Sequence, residues 1–147
     1  MKKIISKTFA LVAIAATLFS FTTNFGGEGF EIFVNGKVVI QGFGKDVEKA
    51  KTLSLDPASP KDKISFKYYH CGQVGKNRFV TIKNADNSLL KVWNYADITT
   101  GDISCTVQDL LNLQKGSNKT FKIFYSSIEL PKGRELVKIV FNDTVKK

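Results

Sequence analysis

The stretch FKYYHCGQVGKNR, residues 66–78, concentrates the residue types that could do chemistry. It contains His70, the only histidine of the chain, directly before Cys71, one of the two cysteines. A catalytic thiol needs a base within hydrogen-bond reach. Neighbouring side chains of an extended strand point to opposite faces, so His70 and Cys71 cannot readily form that pair. The sequence therefore predicts no catalytic residue here.

The glycines of the same stretch raise the possibility of a phosphate-binding loop. The P-loop motif has four residues before its Gly-Lys pair, then Ser or Thr, then a helix. Here two residues separate Gly72 from Gly75, Asn77 stands in the place of the hydroxyl residue, and a strand pattern follows. We interpret the segment as a turn.

Cys71 and Cys105 are better suited to a disulfide with each other than to catalysis. Two cysteines favour a disulfide in a chain that is exported, as the N-terminus described below predicts. This disulfide would raise the free energy of unfolding by about 3–4 kcal/mol in the chain-entropy model. The alternative is two unpaired thiols. The paired CxxC or HxxxH spacing of a zinc site is absent, so we predict no metal and no cofactor.

Binding remains possible around the same loop. His70 ends an apolar strand face, which is typical of a histidine at the rim of the core, but Lys76 and Arg78 would lie near it at a loop mouth. Trp93 and Tyr95 share a strand face and could form a stacking platform for sugars or peptides. Core packing is the alternative for these two aromatic residues.

The elements that would position these residues are mainly strands. In ISFKYYH, alternation places Ile64, Phe66, Tyr68 and His70 on one face. Asn35-Gly36 lies between two β-branched or aromatic runs and predicts a two-residue type I′ hairpin.

One segment, TVQDLLNLQ at 106–114, predicts a helix with Thr106 as N-cap and Asp109 three residues later.

Short strand patterns separated by turn residues recur along the chain. They predict an all-β protein: an antiparallel β-sandwich of the Ig-like or Greek-key type, with about seven or eight strands and one short helix. The helix would cross between the two sheets. A small β-barrel is the alternative.

The N-terminus predicts export. Lysines at positions 2, 3 and 7 precede an apolar run at 9–21 and then small residues, the order of a Sec-type signal peptide. We predict a signal peptide at 1–22, a single domain at 23–147, and a periplasmic or secreted protein with no transmembrane segment after cleavage.

The formal net charge of +9 suggests anionic neighbours. Export removes the usual nucleic acid targets, and Arg78 and Arg134 are the only arginines available for base recognition, so we expect no nucleic acid partner.

Two segments, CGQVGKNRFVTIKNADNSLLKVWNYAD and FYSSIELPKGRELVKI, resemble those of small exported proteins of Gram-negative bacteria. The resemblance covers most of the predicted mature chain. It implies an exported all-β protein and transfers no functional residue.

These observations favour a non-catalytic binding or structural protein of the bacterial envelope or secretome. Its partner would be a protein, a glycan or an anionic polymer. The alternatives are a small secreted hydrolase that uses surface carboxylates, and an inhibitor of a secreted hydrolase.

Overall fold

The computed structural model describes residues 27–95, 103–114 and 116–142. The predicted signal peptide at 1–22 lies outside the described residues. The described residues form two β-sheets packed around one hydrophobic core, and neither sheet closes into a barrel. The predicted all-β sandwich is confirmed.

The first sheet has four antiparallel strands in the order β2-β1-β4-β7. Their bounds are β1 Gly29–Val34, β2 Lys37–Phe43, β4 Lys63–Tyr69 and β7 Ile103–Thr106.

The second sheet has five strands in the order β3-β9-β8-β5-β6. Their bounds are β3 Thr52–Leu55, β5 Arg78–Asn84, β6 Leu89–Tyr95, β8 Thr120–Ser126 and β9 Arg134–Phe141. One edge pair, β3 with β9, is parallel, whereas the other pairs are antiparallel. The parallel pairing of β3 with β9 was not expected from the sequence.

The helix α1, Val107–Leu113, follows β7 of the first sheet and precedes β8 of the second, so it crosses between the sheets as predicted. The Thr106 hydroxyl accepts a hydrogen bond from the Asp109 backbone N–H, and the Asp109 carboxylate accepts one from the Thr106 N–H. This reciprocal pair is the predicted capping box. A 3-10 helix at Gly44–Glu48 was not expected.

Strand alternation fills the core as predicted. Tyr68 of β4 stacks on Tyr125 of β8, with ring centroids 4.5 Å apart and planes 8° from parallel, so this pair joins the two sheets. The inward-facing residues of β4 that the alternation predicted are buried: Ile64, Phe66, Tyr68 and His70. Alternate residues of β8 and β9 are buried too: Phe121, Ile123, Tyr125, Val137, Ile139 and Phe141.

The sandwich has two ends of different character. One end, which we call the Asn35 end, carries the hairpin turns at 35–36 and 85–88 and the helix α1. Asn35 and Gly36 both have positive φ, 51° and 79°, as the predicted type I′ turn requires. The opposite end, the His70 end, carries the loops 70–77 and 127–133 and the starts of β1, β5 and β9. This second end holds the candidate site.

Candidate functional site

A buried and half-buried polar cluster joins the two sheets at the His70 end. Arg134 at the start of β9 pairs with the Glu28 carboxylate before β1 at 2.5 Å, and it also donates to the Tyr68 hydroxyl. This Arg134 hydrogen bond, together with the charge, lowers the pKa of Glu28. Burial raises the pKa of Tyr68 to about 12. Glu28 is therefore ionised and Tyr68 is neutral at physiological pH.

His70 occupies the centre of this cluster. Its Nε2 lies 3.1 Å from the Tyr125 hydroxyl and 3.1 Å from the Ser127 hydroxyl. Its ring lies 4.8 Å from the Tyr68 ring, measured between centroids. Burial lowers the pKa of His70. The imidazole is therefore neutral at physiological pH and links β4 to the segment that follows β8.

Gly75 lets the first loop close over His70. A Cβ placed on Gly75 would lie 2.4 Å from the Tyr125 hydroxyl oxygen and 2.7 Å from His70 Nε2. Both atoms end rigid, buried rings, so they cannot easily move aside. Only glycine allows this close approach.

Three hydrogen bonds tie the two loops together. The Lys76 backbone N–H donates to both carboxylate oxygens of Glu129, at 3.0 and 3.2 Å, and the Ile128 N–H donates to the Lys76 carbonyl at 2.9 Å. The Lys76 N–H is the largest cause of the lowered pKa of Glu129. Hydrogen bonds to a charged group are about twice as strong as neutral ones, so this contact holds the loops in register.

The tied loops carry two exposed aliphatic side chains. Val74 is 41% exposed and Ile128 is 60% exposed. The backbone bond from the Ile128 N–H to Lys76 brings the second loop beside the first, two residues from Val74. We call the exposed side chains of 71–77 and 128–133 the loop surface.

The predicted disulfide is wrong, since both cysteines are free. Cys105 is buried on β7 opposite Ile64, at the start of β4, whereas Cys71 is exposed beyond the other end of that strand. The intervening strand is roughly 20 Å long at 3.3 Å per residue. A disulfide needs Cα atoms within about 7 Å.

Cys71 instead forms part of a second tight turn. Cys71 and Gly72 have φ values of 50° and 84°, and His70 and Gln73 exchange both backbone hydrogen bonds across the turn. Three asparagines, Asn35, Asn77 and Asn87, are the other non-glycine residues with positive φ in the described part of the chain. A cysteine has no side-chain amide to favour this conformation, so Cys71 is strained.

The structure separates the predicted binding residues into different environments. His70 and Arg78 are buried, and Lys76 is exposed on the loop surface. Burial raises the pKa of the Tyr125 hydroxyl, and the charge of the nearby Arg78 acts in the opposite direction without reversing the shift. His70, Lys76 and Arg78 therefore do come together around one loop, but two of them lie beneath the surface.

Trp93 and Tyr95 lie on the edge strand β6, half-buried against the core. The Tyr95 hydroxyl donates to the Ser104 carbonyl of β7 at 3.3 Å and so links the edges of the two sheets. Burial raises the pKa of Tyr95 to about 12. These contacts favour the packing interpretation of the two aromatic residues.

Sequence reasoning missed the second half of the site. Ser127, Ile128 and Glu129 lie more than fifty residues from His70 in the chain. The sequence offers one local signal of a loop: between two strand patterns, SSIEL has two serines, an isoleucine and a glutamate. One sequence gives no means of assigning these residues to the His70 loop.

Within the described ranges, no group of three or more His, Cys, Asp or Glu side chains could hold a metal ion. In the same part of the chain no helix is both long and apolar enough to cross a bilayer.

Comparisons of the chain with protein-family models, with curated proteins and with solved structures found no match. The site must therefore be interpreted from its own geometry.

Proposed function

We propose that this protein is an exported, non-catalytic binding protein of the bacterial envelope or secretome, and that it binds another protein through the loop surface. Its single most important support is the pair of tied loops that present Val74 and Ile128 to solvent. Export rests on the sequence of residues 1–22.

The loop surface is preorganised. Glu129 and the Lys76 carbonyl fix the two loops to each other, and His70 with Ser127 anchors them to the core. A surface that is already ordered loses little conformational entropy on binding. The strained backbone at Cys71 supports the same interpretation, because such strain clusters at functional sites.

The chemistry of the loop surface favours a protein partner over a glycan or an anionic polymer. Glycans are usually held by exposed aromatic rings, but Trp93 and Tyr95 are half-buried against the core. Polymer binding would need a larger cluster of exposed cations than the two lysines of the loop surface, Lys76 and Lys132, because Arg78 lies buried. Exposed aliphatic side chains with a polar rim are typical of protein interfaces.

Ser127 and His70 have the separation of a nucleophile and its base, but their surroundings favour a structural role. Both residues are buried. The Ser127 hydroxyl accepts a hydrogen bond from the Leu130 N–H at 3.3 Å, and His70 Nε2 is shared with Tyr125. A nucleophile must reach a substrate carbonyl, so this geometry supports anchoring of the loops rather than acyl transfer.

A capture experiment tests the proposed function. The full chain, with a C-terminal tag, is expressed in its own host and recovered from the envelope and the medium. We expect one stoichiometric protein partner with the wild-type chain and its loss with the double variant Val74→Ser, Ile128→Ser. The matched control is Leu89→Ser, Val92→Ser, which removes two equally exposed aliphatic side chains from β6.

Retention of the partner by the Val74→Ser, Ile128→Ser variant would contradict the proposal, as would its loss from the β6 control. If the captured partner is a hydrolase whose activity the chain suppresses, the inhibitor alternative is the more specific description.

A further inference from the structure

His70 connects the hydrophobic core to both halves of the loop surface. It begins the first loop, and its Nε2 lies 3.1 Å from the hydroxyl of Ser127, which begins the second loop. The Tyr125 hydroxyl lies at the same distance, and Gly75 packs directly over both rings. Any change at this imidazole therefore acts on both loops at once.

We propose that His70 is an acid sensor whose protonation opens the tied loops and so releases the bound partner. The release of a partner rests on the proposed function above. The opening itself is a property of the free chain and can be tested without any partner.

The closed loops accommodate an imidazolium poorly. An imidazolium Nε2 has one N–H and no lone pair, so neither the Tyr125 nor the Ser127 hydroxyl can donate to it, and both hydroxyls compete for the one N–H. Gly75 and the two tyrosine rings cover the imidazole and leave His70 only 9% exposed, so little water can solvate the charge.

The charged and titratable groups around His70 come from every element that packs against it. They are Tyr68 of β4, Arg78 of β5, Tyr125 of β8, Arg134 of β9, Glu28 before β1, and Glu129 of the second loop.

These surroundings lower the pKa of His70, so the proposed sensor responds to acidic pH. Burial is the largest effect and lowers the pKa of His70, and the Arg134 charge adds to it. The charges of Glu129 and Glu28 act in the opposite direction without reversing the shift. In an opened loop the imidazole would be solvated and would titrate near its ordinary value of about 6.5.

The sign of the pH effect follows from this difference. Because the pKa of His70 is lowered in the closed state, its contribution to closure is complete above about pH 6.5. The contribution is lost as the pH falls from there through the lowered pKa. One proton is involved, so the closed-to-open ratio falls by at most about tenfold per pH unit.

The neighbouring groups keep their charge states in this range. The pKa values of Glu28 and Glu129 are lowered from 4.5, so both stay ionised at pH 5. The pKa values of Tyr68 and Tyr125 are raised by burial, so both stay neutral. His70 is thus the member of this group whose protonation couples to loop opening as the pH falls below about 6.5.

Amide hydrogen exchange of the free full chain tests the proposal. The Lys76 and Ile128 amides report on the bonds between the loops. After correction for intrinsic rates, we expect their protection factors to fall about tenfold between pH 7.5 and 5 in the wild type. They should stay constant in His70→Gln, which keeps a polar amide but does not titrate. The Asn84 and Asn87 amides, bonded within the turn at the other end, are the internal control.

The single histidine makes a second measurement unambiguous. The ring signals of His70 should titrate with a midpoint below 6.5 that coincides with the loss of amide protection. This measurement decides the question even if His70→Gln does not fold. Constant protection in the wild type, an equal loss in His70→Gln, or a ring midpoint at or above 6.5 would overturn the proposal.

Discussion

The two ends of the sandwich carry the same two-residue turn in different sequences. At the Asn35 end the turn is Asn35-Gly36, and at the His70 end it is Cys71-Gly72, with all four φ values positive. Asparagine tolerates this conformation better than most residues other than glycine. The Asn35 amide also bonds to the start of β4, accepting from the Lys63 N–H at 3.0 Å and donating to Asp62 at 2.8 Å.

The polar contacts at the two ends also differ. At the Asn35 end, exposed and half-buried side chains cap backbone groups, as Thr106 and Asp109 do at the start of α1. At the His70 end, charged and polar side chains bond to each other across the two sheets. The Asn35 end therefore has unstrained turns and satisfied caps, whereas the His70 end combines a strained turn with buried polar side chains that hold two exposed loops.

The largest expected change in the free energy of unfolding comes from adding a methyl group at Gly75, which packs over His70. Gly75→Ala should destabilise the protein by about 2–3 kcal/mol, because the new methyl group overlaps two rigid buried rings. Urea unfolding monitored by tryptophan fluorescence measures this. Gly27→Ala is the control, since its Cβ would meet its nearest neighbour at an ordinary 3.7 Å. Equal stability of the two variants would show that Gly75 does not pack as described.

The next effect comes from the ion pair between the sheets. Arg134→Met should cost about 1–2 kcal/mol, because Glu28 and Tyr68 lose a charged hydrogen-bond donor. Lys132→Met, in the exposed loop before β9, should leave the free energy of unfolding nearly unchanged. The loss in Arg134→Met should shrink at low pH, where Glu28 is protonated. A loss that does not depend on pH would argue against the ion pair.

Exchanging the residue types at positions 35 and 71 tests whether the Cys71 turn is strained relative to the Asn35 turn. Cys71→Asn should stabilise the protein by about 0.5–1 kcal/mol, because asparagine suits positive φ better than cysteine does. Asn35→Cys should destabilise it by about 1 kcal/mol, because it also removes the hydrogen bonds to Lys63 and Asp62. Thermal unfolding under reducing conditions provides the measurement. If Cys71→Asn lowered the melting temperature, the cysteine would have a contact that the strain argument omits.

The smallest stability effect belongs to the loop surface. Val74→Ser with Ile128→Ser should change the free energy of unfolding by less than about 0.5 kcal/mol, because both side chains are exposed. The same double change should abolish partner capture. A large loss of stability would mean that these side chains pack against the protein and are not available to bind a partner.

Local patterns predicted much of the fold. The Asn35-Gly36 turn, the Thr106 capping box and the alternation from Ile64 to His70 each depend on residues close together in the chain, and all three are confirmed. The turn at Cys71-Gly72 was identified as a turn, but its type was not, since cysteine is an unusual residue for positive φ. The parallel pairing of β3 with β9 depends on two distant segments and carries no local signal.

The candidate site was predicted only in part. His70, Lys76 and Arg78 lie in one short stretch, and the residue types of that stretch alone marked it as a candidate binding loop. The disulfide prediction failed because spacing along the chain does not show that Cys71 and Cys105 lie at opposite ends of β4. Ser127, Ile128 and Glu129 join His70 only through the pairing of the strands, which is a property of the fold.

The central claim is that the His70 end is the end that binds. The most direct test is to place a photo-reactive amino acid at Val74, at Ile128 or at Ala85 in the Asn35 end, and to irradiate cells that express the full chain. We predict a cross-linked product with one second protein from positions 74 and 128 and none from position 85. Cross-linking from position 85 to that protein, or none from the loop surface, would contradict the account.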